Sequence, residues 1–181
     1  MVFKKFFKKD KDEGPDPTAI TLANLKKGYF VDYDLMTWEV TACNKYDWGA
    51  GEFSYEWQLT SSDETIFLER EVDDEDFWSI GRKIPFRKLP SGIREHIHEH
   101  EDPPDEIQYE GKTYYLEEMS GGHFYPDSKS EHYELLSWDY EDESGKNLLS
   151  IEQWGEDDFS ASIGEPVFEY QFTNITIRDQ I

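Results

Sequence analysis

Apolar and polar residues alternate along most of the chain between Thr21 and Leu89. Between residues 52 and 60, for example, every second residue is apolar, so the segment has one apolar and one polar face. The apolar face carries Phe53, Tyr55, Trp57 and Leu59. A period of two in segments rich in aromatic and β-branched residues is typical of half-buried antiparallel strands. Glycine, aspartate and serine turns separate these segments, which predicts one hairpin after another.

The second half of the chain repeats this alternation and has one short interruption before it. Between residues 91 and 105, the sequence predicts a short helix starting at Ser91, with Ile93 and Ile97 on one face, and Pro103-Pro104 ends it. Near the C-terminus, three rings alternate with polar residues, at Phe168, Tyr170 and Phe172. We expect them on one face of a last strand that packs against the core.

One pattern of residues occurs twice in the same order. A Tyr-Glu pair, a glutamate ending an apolar run, a phenylalanine and Ser-Ile-Gly recur with an offset that drifts from 78 to 83 residues. The copies are Tyr55-Glu56, Glu69, Phe77 and Ser79–Gly81, and then Tyr133-Glu134, Glu152, Phe159 and Ser162–Gly164. Such drift is what an old tandem duplication would leave.

The predicted fold is therefore mainly β, as an antiparallel sandwich or as paired barrel-like halves from an internal duplication, with little helix. We divide the chain into a basic tail and linker (1–17), a first β half (18–90), a bridge (91–105) and a second β half (106–181). The two halves are also compatible with one pseudo-symmetric domain.

The net charge changes the range of functions to consider. The chain carries a formal charge of −23, which argues against binding to nucleic acid phosphates and favours cationic partners. Its single cysteine, Cys43, excludes an intrachain disulfide, and we interpret Cys43 as a packing residue. There is neither an apolar signal segment nor a run of about 20 apolar residues. We predict a cytoplasmic protein.

The first eleven residues have the opposite charge. Five lysines face one aspartate there, which leaves −27 on the other 170 residues. On a helix, Phe3, Phe6 and Phe7 would form one apolar stripe edged by lysines, and this pattern is typical of weak contact with an anionic membrane surface. The alternatives are a frayed basic tail or a tail folded back onto the acidic body.

Several local patterns are candidates for chemistry. His96, His98 and His100 have spacings that suit a shared metal ion, but no distant ligand is identifiable, and a solvated hinge explains them as well. The acidic runs at 73–76 and 156–158 lack the spacing of a calcium loop and are typical of exposed turns. Glu69 and Glu152 each end an apolar run and are better candidates for a perturbed carboxylate.

Aromatic residues near predicted loops are candidates for stacking on a sugar or a cationic amine. They are Trp48, Trp78, Trp138 and Trp154. The sequence contains no catalytic motif of the serine hydrolase, phosphate-loop, HExxH or CxxC type. We therefore assign no catalytic residue, binding residue, metal or cofactor.

The chain resembles a bacterial family, the domain of unknown function 4178. The resemblance lies in Leu25–Gly28 with Val31-Asp32-Tyr33, Tyr55–Leu59 with Phe67-Leu68-Glu69, and Ile163–Val167 with Glu169-Tyr170. It covers about residues 24 to 177. The family has no assigned catalytic residues, so the resemblance implies none here. Its members resemble cytoplasmic proteins encoded near polyamine-synthase-like enzymes and membrane-stress proteins.

We predict a non-catalytic, acidic β scaffold that binds a protein partner, with a role as a membrane-stress-associated adaptor implied by the resemblance. One alternative is a small-ligand module for a polyamine or a sugar, and another is a metal-dependent enzyme that uses the bridge histidines.

Overall fold

The computed structural model describes residues 20–72 and 75–177. The predicted basic tail, Asp73 and Asp74 lie outside these ranges. Within them, the chain forms one α-helix, α1 (Ile93–His100), and eleven strands: β1 (Tyr29–Tyr33), β2 (Met36–Gly49), β3 (Glu52–Thr60), β4 (Thr65–Val72), β5 (Phe77–Ile84), β6 (Glu106–Tyr109), β7 (Lys112–Tyr125), β8 (Tyr133–Asp142), β9 (Leu148–Gln153), β10 (Phe159–Val167) and β11 (Thr173–Ile177).

The strands form one antiparallel sheet in the order β11-β1-β2-β3-β4-β5-β10-β9-β8-β7-β6. The long strand β2 also pairs with the end of β7, where Tyr46 lies opposite Phe124. This extra pairing joins β2, β3, β4, β5, β10, β9, β8 and β7 into a closed ring of eight strands. Strands β1 and β11 extend the sheet on one side of the ring, and β6 extends it on the other.

The apolar face of the ring carries two separate hydrophobic cores. The first contains Trp38, Trp57 and Trp78 from β2, β3 and β5, together with Leu22 and Leu25 from the segment before β1. The indole of Trp57 donates a hydrogen bond to the backbone oxygen of Leu25 at 3.0 Å, which fixes that segment over the strands. Each of these residues is at most 5% exposed, so the segment before β1 and the strands bury this core between them.

Helix α1 covers the second core. Ile93 and Ile97 are each 3% exposed and pack with residues of β6 to β10, among them Trp138 and Ile151. The sequence prediction of a helix with these two isoleucines on one face is confirmed. The helix begins at Ile93 after Gly92, whose φ of 93° is in the left-handed region that glycine adopts readily.

The prediction of a last strand that carries Phe168, Tyr170 and Phe172 on one face was wrong. Glu169–Gln171 form a 3₁₀ turn, which breaks the alternation, and the strand starts only at Thr173. Phe168 and Tyr170 are 60% and 77% exposed, and their rings stack on each other at 5.5 Å. Phe172 alone joins the core, where it stacks on Tyr33.

The prediction of a mainly antiparallel β fold with little helix is confirmed, and it takes the form of one continuous sheet. No helix among the described residues has the length and apolar character needed to cross a membrane. The internal duplication and the domain boundaries stay predictions. The two Ser-Ile-Gly copies lie on adjacent strands, and Gly81 pairs directly with Gly164.

Candidate functional site: an acid-lined cavity inside the strand ring

The polar face of the ring encloses a cavity of about 540 Å³. All eight ring strands contribute residues to its wall. Serines occupy many inward positions, and their small side chains leave the space that forms the cavity. They are Ser54, Ser79, Ser120, Ser137, Ser150 and Ser162.

The charge of this wall is strongly negative. Nine carboxylate side chains line the cavity, against a single lysine, Lys83. The acids are Glu52, Glu56, Glu69, Glu71, Glu117, Glu118, Asp139, Glu141 and Glu152. Five of these acids are exposed, so the cavity is open to water: Glu52, Glu71, Glu117, Glu118 and Asp139.

Glu56 lines the cavity and is 7% exposed. Its carboxylate accepts hydrogen bonds from Asn44 Nδ2 at 2.8 Å and from the Tyr46 hydroxyl at 3.4 Å. Burial raises the pKa of Glu56, and the charge of Lys83 and the hydrogen bond from Asn44 oppose this rise in part. Asn44 is itself held in place, because its oxygen accepts a hydrogen bond from the backbone N–H of Asp127.

Lys83 and Glu152 form an ion pair inside the cavity, with Nζ at 2.7 Å from Oε2. Burial alone would lower the pKa of Lys83, but the carboxylates of Glu152 and Glu56 more than offset this, so its pKa is raised. The ammonium also lies 5.7 Å from the centre of the Phe67 ring. Lys83 is therefore held as a cation by carboxylates and an aromatic face together.

Two tryptophans hold serines against glutamates of the cavity. Trp48 Nε1 donates to Ser54 Oγ, which donates to Glu69 Oε1 at 3.0 Å. In the other half, Trp154 Nε1 donates to Ser160 Oγ at 3.1 Å, and this hydroxyl donates to Glu152 Oε2 at 2.6 Å. These contacts fix both carboxylates in the wall.

Three further acids of the cavity have raised pKa values, as Glu56 does. Burial, then the charges of Glu71, Glu56 and Asp139, raise the pKa of Glu69 well above its usual range. Burial raises the pKa of Glu71 to about 7, with further contributions from Asp139 and Glu118. Burial raises the pKa of Asp139 to about 6, although hydrogen bonds from Ser150 and Ser137 oppose this. Glu71 and Asp139 are exposed, and yet their pKa values are raised. The reason is that the water they contact lies inside a cavity walled by protein.

Glu69 and Glu152 come together in this one cavity. Sequence reasoning missed Glu56, Lys83, Asp139 and the serines. The polar face of β3, with Ser54 and Glu56, is visible in the sequence, but alternation alone does not distinguish an open surface from the inside of a closed ring. Lys83 was missed for the same reason. It lies on the polar face of β5, whereas Trp78 and Ile80 on the other face belong to the first core.

The four tryptophans divide into two groups. Trp78 and Trp138 are 5% and 0% exposed and belong to the hydrophobic cores. Trp48 and Trp154 line a second, more open groove of about 780 Å³ beside Gly121 and Gly122, and Trp48 also lines the acidic cavity. Cys43 is half-buried against the first core, where burial raises the pKa of its thiol. Its position there fits a packing residue.

The bridge histidines do not converge on one point. The rings of His96 and His100 lie 4.4 Å apart, whereas His98 Nε2 lies 3.1 Å from Asp157 Oδ1 in the turn after β9. Within the described ranges, no group of three or more histidine, cysteine, aspartate or glutamate side chains is arranged to hold a metal ion. In the acidic run at 73–76, Asp76 forms an ion pair with Arg70, with Oδ2 at 2.6 Å from Nη2.

The family model for a domain of unknown function, DUF4178, matches residues 26–169. The chain belongs to this family. The matched span contains all eight strands of the ring, so every side chain that lines the cavity lies within it. An uncharacterised protein of Aquifex aeolicus (strain VF5) is 28% identical to this DUF4178 chain over 176 residues, which cover 97% of this chain and 96% of the relative. No solved structure matches the chain.

Proposed function

We propose that this protein is a binding module for a small organic cation, which it holds in the acid-lined cavity. The observation that carries this proposal is the charge of the wall, where nine carboxylates face one lysine. Like charges enclosed together destabilise one another, and an enclosed cation offsets that repulsion. A cationic ligand therefore gains free energy here that a neutral molecule of the same shape does not.

The chemistry of the wall favours an amine of the polyamine kind over the other ligands considered from the sequence. Serine hydroxyls and carboxylates accept N–H hydrogen bonds, and the rings of Phe67 and Phe77 add aromatic surface to the wall. A sugar carries no charge to offset the carboxylates. The metal alternative lacks a converging set of ligands in the described residues.

Isothermal titration calorimetry on the full chain tests this proposal. We expect 1,4-diaminobutane to bind with defined stoichiometry and 1,4-butanediol, a neutral analogue of the same length, to give no binding. Asp139→Asn removes one charge from the wall. We expect it to weaken diamine binding by about tenfold or more, because a hydrogen bond to a charged group contributes about 1.5–3 kcal/mol.

The matched control is Asp63→Asn, which removes the same charge from an exposed position in the turn between β3 and β4. Both variants have the same net charge, so non-specific attraction to an acidic protein would weaken equally in the two. Equal diamine affinity in the two variants, or no diamine binding by the wild type, would overturn the proposal.

The interaction scaffold predicted from the sequence is the second candidate. The stacked and exposed Phe168–Tyr170 pair supports it, because two large rings in water are typical of a contact surface. The pair lies outside the wall of the acidic cavity, so a partner on this surface and a ligand in the cavity are compatible. The basic tail, for which the sequence indicates weak membrane contact as one possibility, lies outside the described residues.

A further inference from the structure

The strand registers place two glutamates at matching positions on the two sides of the ring. Gly81 of β5 pairs with Gly164 of β10, and these glycines pair in turn with Phe67 of β4 and Leu148 of β9. Four residues further along β4 and β9 stand Glu71 and Glu152. Each of them lies opposite a serine of the next strand, Ser54 for Glu71 and Ser137 for Glu152. By register, then, Glu71 rather than Glu69 is the counterpart of Glu152.

The two counterparts differ in what they bind. Glu152 holds the ammonium group of Lys83 at 2.7 Å. Lys83 comes two residues after Gly81, and the residue two positions after Gly164 is Pro166. By register, a lysine that paired with Glu71 would stand at position 166, and the proline there carries no charge. Among the described residues, no lysine, arginine or histidine forms an ion pair with Glu71.

Glu71 is also the accessible member of the two. It is exposed at the open side of the cavity, whereas Glu152 is 8% exposed. Its cross-strand neighbour is Phe77, whose ring is 41% exposed and lines the same cavity. A carboxylate beside an aromatic face is the combination that Lys83 already meets at Glu152 and Phe67.

We propose that Glu71 is the anchor for a primary ammonium group of the ligand, in the position that a lysine at residue 166 would otherwise fill. This inference rests on the proposed function and adds the chemical class of the ligand, an alkyl amine with a free –NH₃⁺ end. The chain's own Lys83 shows how this cavity accommodates such a group. A quaternary ammonium lacks the N–H donors that a carboxylate accepts, so it should bind less well.

Calorimetry with 1,4-diaminobutane on full-length variants tests the anchor. We expect Glu71→Gln to weaken binding by about tenfold or more, and Glu117→Gln, which removes a carboxyl group from the same opening, to have a clearly smaller effect. The N-permethylated form of the diamine should bind the wild type less tightly than the diamine itself.

A second variant, Pro166→Lys, supplies an internal ammonium to Glu71. We expect it to abolish diamine binding while thermal unfolding shows a folded protein with an unchanged or higher midpoint. If the wild type binds the diamine but Glu71→Gln and Pro166→Lys bind it as tightly, Glu71 is not the anchor and the proposed function still stands. If the wild type does not bind the diamine, the function and the anchor are both overturned.

Discussion

Single carboxylates in the cavity determine how this protein responds to pH. The pKa values of Glu71 and Asp139 are about 7 and about 6, against ordinary values of 4.5 and 3.8. Between the ordinary and the raised values, the folded chain holds protons that the unfolded chain has released. The free energy of unfolding therefore decreases as pH rises through this window, and the contribution of these groups is fully present only below it.

We predict that Asp139→Asn makes the free energy of unfolding less dependent on pH. The substitution removes one of the titrating groups, and it also removes a charge that raises the pKa of Glu71. Urea unfolding between about pH 4 and about pH 8 measures the effect. Asp63→Asn is the control and should keep the wild-type decline. The same decline in all three proteins would contradict the prediction.

At the scale of elements, the antiparallel pairing of β5 with β10 joins the two halves of the ring. Gly81 and Gly164 are direct neighbours there, but they are not equivalent in space. A Cβ added at Gly164 would lie 2.6 Å from the backbone oxygen of Ile80. A Cβ added at Gly81 would meet its nearest atoms only at 3.9 Å, which is ordinary contact. The close approach of the strands therefore requires glycine at one of the two positions.

We predict that Gly164→Ala lowers the free energy of unfolding by about 1–3 kcal/mol, because the added methyl group forces the two strands apart. Gly81→Ala is the matched variant and should change the free energy of unfolding little or raise it, since alanine is less flexible in the unfolded chain. Urea unfolding of both variants measures this difference. Equal values for the two would show that the strands adjust without cost.

At the scale of the whole molecule, the acidic cavity and the exposed Phe168–Tyr170 pair are two separate surfaces. The −27 outside the first eleven residues is partly concentrated in the cavity, while the Phe168–Tyr170 pair lies elsewhere on the surface. This separation allows ligand binding and partner binding to be tested independently.

We predict that affinity purification from native lysate with the full chain recovers a protein partner, and that the double variant Phe168→Ser/Tyr170→Ser loses it. Exposed aromatic residues dominate many protein interfaces, and both serines remain at the surface, so the fold should persist. A variant starting at Glu13 separates the contribution of the basic tail. Recovery of the same proteins by the double variant would count against the aromatic pair as the contact surface.

The sequence by itself determined the strands, the helix with Ile93 and Ile97, and the packing of Trp57, because these follow from the period of apolar residues along one segment. It also indicated Glu69 and Glu152, because each ends an apolar run. It missed the 3₁₀ turn at residues 169–171. Three aromatic residues at a period of two indicate a strand, and nothing in the alternation itself distinguishes a strand from this turn.

Only the tertiary structure decided that the polar faces of eight strands enclose a cavity, because the ring closes through the pairing of β2 with β7, which are far apart in the chain. Alternation says which residues share a face, whereas the closure of the ring says what that face meets. The closure brings the charges of Asp139 and Glu118, from β8 and β7, close enough to raise the pKa of Glu71. Lys83 meets Glu152 because β5 pairs with β10, a pairing that no local pattern predicts.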